Sequence, residues 1–158
     1  MKPVIIATLG IVAFGAASVS VQAADDPISK AVEARQAFMK VVAFNLGALG
    51  AMAKGEMEYD PEMAAAHANN LASLSEMKNG AMWPQGSDNA TLGEDKTRAL
   101  PVIWESYPKV AEKHEAWSKA SVELAASAGD GIDALKSNIG AVGKSCGGCH
   151  DDFRAEKK

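Results

Sequence analysis

Apolar side chains recur every three or four residues through most of the chain, which is the spacing of amphipathic α-helices. Asp26-Pro27 and Asp60-Pro61 each place a capping carboxylate before a proline that fits the first turn of a helix. The first helix is predicted to end near Lys54-Gly55, and the second to stop before Gly80. The predicted inward face of the first helix consists of Val32, Arg35, Met39, Val42, Leu46 and Leu49.

A long polar connection, residues 79–98, separates these helices from two more. The third helix is predicted to begin near Pro101, to break or restart at Pro108, and to run to Gly129. The fourth is predicted to begin after Asp130-Gly131 and has the most regular stripe in the chain: Ile132, Leu135, Ile139, Val142, Cys146, Cys149 and Phe153. The pattern therefore predicts an all-α fold, an antiparallel four-helix bundle.

The first 23 residues have the features of a secretory signal. Lys2 is followed by an apolar run from Val4 to Ala17, and Val21-Gln22-Ala23 offers small or slim side chains where a signal peptidase cleaves. The run is too short to span a bilayer, although an uncleaved N-terminal anchor is the alternative. We expect residues 1–23 to be removed and residues 24–158 to form a single domain.

The charge balance excludes one class of partner. The full chain carries 16 basic and 20 acidic residues, a net charge of −4, and losing Lys2 with the signal changes this to −5. Nucleic acid binding requires a basic face, and the only basic cluster is Lys157-Lys158. No transmembrane segment is predicted after residue 23, so we expect no membrane insertion of an acidic, periplasmic domain.

The residues that carry chemistry are Cys146-Gly147-Gly148-Cys149-His150, a C-x-x-C-H sequence typical of covalent haem attachment. Two thiols at this spacing can add to the two porphyrin vinyl groups, and the adjacent histidine then reaches the iron. A disulfide, a thiol-redox site and a zinc site are the alternatives. The redox motif normally follows a strand, and no strand is predicted here; no further Cys or His pair is spaced for zinc. One covalent haem c with its iron is therefore the predicted cofactor.

With this motif near the C-terminus of an exported helical chain, the sequence resembles the class II c-type cytochromes. This family contains the high-spin cytochromes c-prime and low-spin, methionine-ligated relatives. The resemblance extends over the whole mature chain, and its motifs are residues 35–40, 82–88, 100–104 and 146–154. It implies an antiparallel four-helix bundle with the haem buried between helices. The first residue between the cysteines, often lysine in the family, is Gly147 here.

The resemblance also implies roles for single residues. Cys146 and Cys149 would bond the haem, and His150 would ligate its iron. Met39 would face the iron on the distal side, and Arg35, one turn earlier, would lie near a propionate. Arg154 matches an arginine beside the proximal histidine. A thioether ligand keeps haem iron low-spin and suits electron transfer, whereas an unligated distal face admits small gases.

We therefore expect a periplasmic one-electron carrier that transforms no substrate, with His150 and Met39 as axial ligands, in the low-spin cytochrome c-556 branch. The rival is a five-coordinate c-prime protein that binds nitric oxide, and a haem-free thiol-disulfide oxidoreductase is a third alternative. His67 and His114, on the apolar stripes of their helices, are weaker candidates for the sixth ligand. The expected partners are periplasmic redox proteins, and a homodimer through the first two helices is left open.

Overall fold

The structure, a computed structural model, describes residues 26–157, and the predicted signal segment lies outside this range. The described residues form six α-helices and one short 3₁₀ turn, Gly80–Met82. The helices are α1 (Pro27–Lys54), α2 (Pro61–Glu76), α3 (Asn89–Leu92), α4 (Val102–Glu105), α5 (Tyr107–Ala125) and α6 (Ile132–Phe153). The long ones, α1, α2, α5 and α6, are the four predicted from the sequence.

The helix ends follow the predicted capping signals. The carboxylate of Asp26 accepts hydrogen bonds from the backbone N–H groups of Ile28 and Ser29, at 3.3 and 3.2 Å. Gly55 ends α1 in the left-handed conformation, with φ of 76°. The predicted break before Pro108 is also present, because α4 ends at Glu105 and Pro108 occupies the first turn of α5, where a missing N–H costs nothing.

Each long helix packs against two neighbours, so the four form a closed square: α1 lies between α2 and α6, and α5 also lies between α2 and α6. Tyr59, in the α1–α2 turn, ties this turn to the α5–α6 turn. Its hydroxyl donates to the carbonyl of Ala128 and accepts from the N–H of Gly131, both at 2.9 Å. Both turns therefore lie at one end of the bundle, and every helix is antiparallel to its neighbours, as predicted.

The inward face of α1 differs from the prediction by one residue at two turns. Phe38 and Asn45 are buried, where the apolar pattern favours Met39 and Leu46. The buried positions are Val32, Arg35, Phe38, Val42, Asn45, Leu49 and Met52, which from Arg35 onward step by three and four alternately. Two members of this seam, Arg35 and Asn45, are polar; the predicted face included Arg35, but it placed apolar Leu46 where Asn45 is buried.

Of the helices within residues 26–157, α1 is the one long and apolar enough to cross a membrane by length and composition, with a mean hydropathy of 1.3 over its best window. Core helices of water-soluble bundles can meet the same criterion. Here the helix buries a seam that includes a charged guanidinium and an amide against other helices. We therefore describe α1 as a bundle helix.

Candidate functional site

The Cys-Gly-Gly-Cys-His segment occupies the last turns of α6, at the end of the bundle opposite Tyr59. Cys146, Cys149 and His150 are all half-buried. Because residues three and four apart share one face of a helix, both thiols and the imidazole lie on the same side of α6. Cys146 packs against the hydrophobic core. The predicted attachment residues are therefore brought together on one surface.

The electrostatics of the two cysteines disfavour thiol-redox chemistry. Burial raises the pKa of the Cys146 thiol. Burial also raises the pKa of Cys149, and the nearby charge of Lys113 offsets this only in part. Catalytic redox thiols instead have lowered pKa values, because the thiolate is the reactive form. The site thus favours two protonated thiols over an activated nucleophile.

His150 is held in the form that binds metal. Burial lowers its pKa below the usual value, and the positive charges of Arg154 and Arg98 lower it further. The neutral imidazole is therefore favoured at pH 7, and neutral imidazole is the ligand form. Arg154, placed beside the proximal histidine by the resemblance, directly follows α6 and acts electrostatically on His150.

A lysine of α5 lies against the attachment segment. A methyl group built on Gly148 would meet the Lys113 Nζ atom at 3.5 Å, an ordinary contact distance. The same Nζ lies 3.0 Å from the carboxylate of Asp152, and Lys109 Nζ lies 3.2 Å from it. Hydrogen bonds from these two lysines lower the pKa of Asp152. This acidic side chain therefore links α5 to the end of α6.

Arg35 is buried and its guanidinium is enclosed by the long connection. Nη1 donates to the Ser87 hydroxyl at 2.7 Å and to the carbonyl of Met82 at 3.5 Å. Nη2 donates to the carbonyl of Ser87 and, at 2.7 Å, to the Thr97 hydroxyl. The guanidinium carbon also lies 4.8 Å from the centre of the Trp83 ring, a cation–π distance.

All of these acceptors are neutral, so they satisfy the guanidinium without neutralising its charge. Burial lowers the pKa of Arg35, and the charge of Asp88 opposes this. Burial alone would raise the pKa of Asp88, but hydrogen bonds from the backbone and side chain of Thr91 hold it below its usual value. The bonds described use four of the five N–H groups of arginine, and Nε–H is the fifth.

The bundle interior near the attachment segment contains two buried donors without a protein partner. These are Nε1–H of Trp117 and the hydroxyl of Ser121, one turn apart on α5. Trp117 packs edge-to-face on Phe38 of α1, with ring centres 6.3 Å apart. An unpaired buried donor costs about 1–3 kcal/mol, which a further group bearing oxygen acceptors would relieve. Together with two thiols and a neutral imidazole, these residues fit a covalently bound haem with carboxylate side chains.

Met39 is 41% exposed, whereas its neighbour Phe38 is 7% exposed. Val41 lines a groove against residues of α2. At about 100° per residue, Met39 lies on the flank of α1 opposite Val41. That flank is the one toward α6, the other long helix that α1 contacts and the helix that carries His150.

The two other histidines occupy separate environments. His67 Nδ1 lies 2.9 Å from the Asn45 amide oxygen, in the interface of α1 and α2. His114 is exposed and lies edge-on to Trp117, at 5.6 Å. Each therefore has a local structural contact, and neither lies on α6.

Several residues of this end were not found from the sequence. Ser87 and Thr97 hold Arg35, and Lys113 lies against the attachment segment. Asp151-Asp152 is expected from the sequence to be plain solvated surface, but Asp152 pairs with two lysines. The sequence contains one signal for this region: Asp88 and Thr91 are three residues apart, the spacing of a helix N-cap.

Comparisons with known proteins agree with this arrangement. Residues 30–154 match the family described as Cytochrome C'. The chain is 38% identical to cytochrome c' of Halomonas halodenitrificans over 131 residues, which is 80% of this chain and 96% of the relative. It is also similar to a solved cytochrome c' from Rhodobacter sphaeroides, with a TM-score of 0.79 and 35% identity over 82% of this chain and 98% of the other.

A second solved relative is described as a cytochrome c' with an unusual ligand-controlled dimer dissociation. It has a TM-score of 0.74 and 29% identity, over 85% of this chain and all of the other. These matches give no support to the narrower assignment to the low-spin c-556 branch. The chain belongs to the cytochrome c' family, whose members bind one covalent c-type haem with its iron.

Proposed function

We propose that Cys146 and Cys149 bond the haem and that His150 holds its iron. The half-buried thiols and the neutral imidazole on one face of α6 support this assignment. The bound group would supply reversible one-electron chemistry and an iron coordination position for a small ligand. The Arg35 guanidinium and the unpaired indole N–H of Trp117 are the donors that we expect to meet its carboxylates.

We further propose that the distal side is an apolar pocket for a small gas, as in a five-coordinate cytochrome c'. The observation that carries this proposal is the identity of the seam residue on α1. Phe38, which has no donor atom, fills the inward position and packs on Trp117. This seam position therefore offers the iron no ligand, and we propose a gas-binding protein that transforms no substrate.

An optical spectrum of the purified protein tests this function. We expect a high-spin ferric spectrum, and binding of carbon monoxide and nitric oxide by the ferrous protein. A low-spin spectrum that is unchanged by either gas would contradict it.

The second candidate is the one-electron carrier with Met39 as the sixth ligand. The observation that favours it is the position of Met39 on the flank of α1 toward α6. A thioether on that flank would compete with gas for the iron and favour the low-spin state. In this case periplasmic redox proteins are the partners, and the spectrum decides between the two functions.

We propose that the chain is exported and processed to begin near Ala24. The basis is Lys2, the apolar run after it and the small residues before Ala24, all in the sequence alone. The intact mass of the native protein should equal that of residues 24–158 plus one haem. A mass that retains residues 1–23 would instead indicate an uncleaved anchor.

We propose a homodimer through α1 and α2, because this face exposes a row of large apolar side chains. The row consists of Val41, Phe44, Met63 and Met77, with Phe44 70% exposed. The Phe44 ring also contacts the His67 ring of α2 edge-to-face, with ring centres 5.6 Å apart. This contact restrains the exposed Phe44 ring at the proposed interface. A second copy of the chain is the occupant that the solved relative with a dissociating dimer supports.

Phe44→Glu tests the dimer, because a charge at a central aromatic contact cannot be buried unpaired. We expect the dissociation constant to rise about thirty-fold or more, measured by sedimentation equilibrium. Tyr107→Glu is the matched control, since Tyr107 is 72% exposed on α5, away from this face. A wild-type chain that stays monomeric at all concentrations would refute the dimer.

A further inference from the structure

The residues after the long connection pair with the residues after the histidine helix. Leu100 N–H donates to the carbonyl of Phe153 at 3.0 Å, and Ala155 N–H donates to the carbonyl of Arg98 at 2.9 Å. Ala99 and Arg154 thus form an isolated antiparallel β-bridge. We refer to residues 98–100 as the strap. Within residues 26–157 this bridge is the only β-pairing.

The strap supports the turn that carries His150. The last carbonyls of a helix have no intrahelical partner, and terminal turns open at little free-energy cost unless they are tied down. Here the carbonyl of Phe153, the last residue of α6, accepts from the strap. The carbonyl of His150 accepts from Arg154 N–H at 3.1 Å, and Arg154 is itself paired with the strap. The imidazole therefore projects from a turn whose end is fixed from outside the helix.

One hydroxyl fastens the strap to α1. Thr97 is buried, and its Oγ1 atom accepts from Arg35 Nη2 at 2.7 Å and from Ala99 N–H at 3.2 Å. These two donors use both lone pairs of the oxygen. The carbonyl of Ala99 accepts from Asn89 N–H at 2.8 Å, which holds the strap from the other side. Hydrogen bonds and the short backbone segment 97–100 thus connect Arg35 of α1 to the end of α6, the helix that carries His150.

We propose that Thr97 and Arg35 are positioning residues for His150. The Thr97 hydroxyl fixes the strap on the α1 guanidinium, the strap fixes the final turn of α6, and that turn sets the orientation of the imidazole on the iron. This inference rests on the proposed role of His150 as the iron ligand. It predicts that a substitution at Thr97, outside α6, changes the orientation of the imidazole on α6.

Thr97→Val removes the acceptor and keeps the shape of the side chain, so it tests the proposal directly. Amide exchange at Leu100 and Ala155 reports the strap, and the paramagnetic ¹H shifts of the haem methyls in the ferric protein report the imidazole orientation. We expect protection of both amides to fall about ten-fold, and the haem-methyl pattern to change with it. Thr97→Ser, which keeps the hydroxyl, should restore both.

Gln36→Ala is the matched control, because Gln36 Nε2 also joins α1 to the connection, donating to the Lys96 carbonyl at 2.7 Å, but on the surface. It should leave both readouts as in the wild type. Thr97→Ala removes the same acceptor without adding the valine methyls. It replaces Thr97→Val if the valine variant does not fold.

Loss of amide protection with unchanged haem methyls would reduce Thr97 to a loop anchor and overturn the proposal, as would no change in either readout. Failure of the wild type to retain covalent haem would instead contradict the proposed function, and this inference with it.

Discussion

A chain with both Cys146→Ala and Cys149→Ala is expected to contain no covalent haem. When the wild-type protein, matured with a haem-attachment system, is denatured and extracted with acid–acetone, its colour should stay with the protein. The double variant should lose all of it, so the pyridine haemochrome absorbance of the protein fraction falls to background. The physical reason is that each thioether bond requires one thiol, and these are the only two cysteines of the chain.

The single variants and a neighbour sharpen this test. Either single substitution leaves one thiol and should leave haem attached through one bond, with the pyridine haemochrome band shifted by the vinyl group that remains. Ser145→Ala is the matched control, because Ser145 lies beside Cys146 but carries no thiol, and its hydroxyl donates to the carbonyl of Val142, at 2.8 Å. Haem that extracts freely from the wild type would show that these thiols are not attachment points.

The four long helices were predictable because their ends are coded locally. The caps at Asp26 and Asp60, and the glycine at position 55, act within one or two turns of the residues concerned. The antiparallel arrangement was predicted from mostly short connections, and the structure adds Tyr59 as the residue that brings both short turns to one end. The attachment segment was predictable for a similar reason, since its chemistry lies within five consecutive residues.

The seam of α1 and the enclosure of Arg35 could not be predicted in the same way. A seam containing Arg35 and Asn45 looks discontinuous to any pattern based on hydrophobicity, although its spacing is regular. The bonds that compensate the burial of Arg35 join residues 47 to 62 positions apart. Such contacts depend on how the long connection folds back across α1. Sequence reasoning assigned Arg35 to a propionate by resemblance, and that role remains a prediction beside the loop contacts.

The location of these groups explains why the two ends of the bundle differ. The Tyr59 end is closed by two short turns and by the Tyr59 hydroxyl, which is hydrogen-bonded to both sides of the α5–α6 turn. The opposite end collects the long connection, the strap, the buried guanidinium and the attachment segment. We therefore expect variation in the long connection to alter the surroundings of His150 and to leave the helix packing at the Tyr59 end unchanged.

Met39→Ala decides between the two functions, and we expect it to leave the iron high-spin, as in the wild type. Phe38, and not Met39, is the inward residue of this turn, so removing the thioether leaves the apolar seam in place. The substitution enlarges the distal pocket only at the flank of α1 that faces α6. Carbon monoxide affinity of the ferrous protein should then rise by less than about ten-fold, or about 1.4 kcal/mol, measured by optical titration.

The electron-carrier function predicts a different pair of results. If the Met39 thioether is bonded to iron, the wild type is low-spin and shows the weak near-infrared band of sulfur on ferric haem. Its alanine variant would become high-spin, and carbon monoxide would bind far more tightly because no ligand has to be displaced. Met57→Ala is the matched control, since Met57 is also 41% exposed but follows α1 at the Tyr59 end. A spin change in Met39→Ala that is absent in Met57→Ala would therefore refute the open distal pocket and establish Met39 as the sixth ligand.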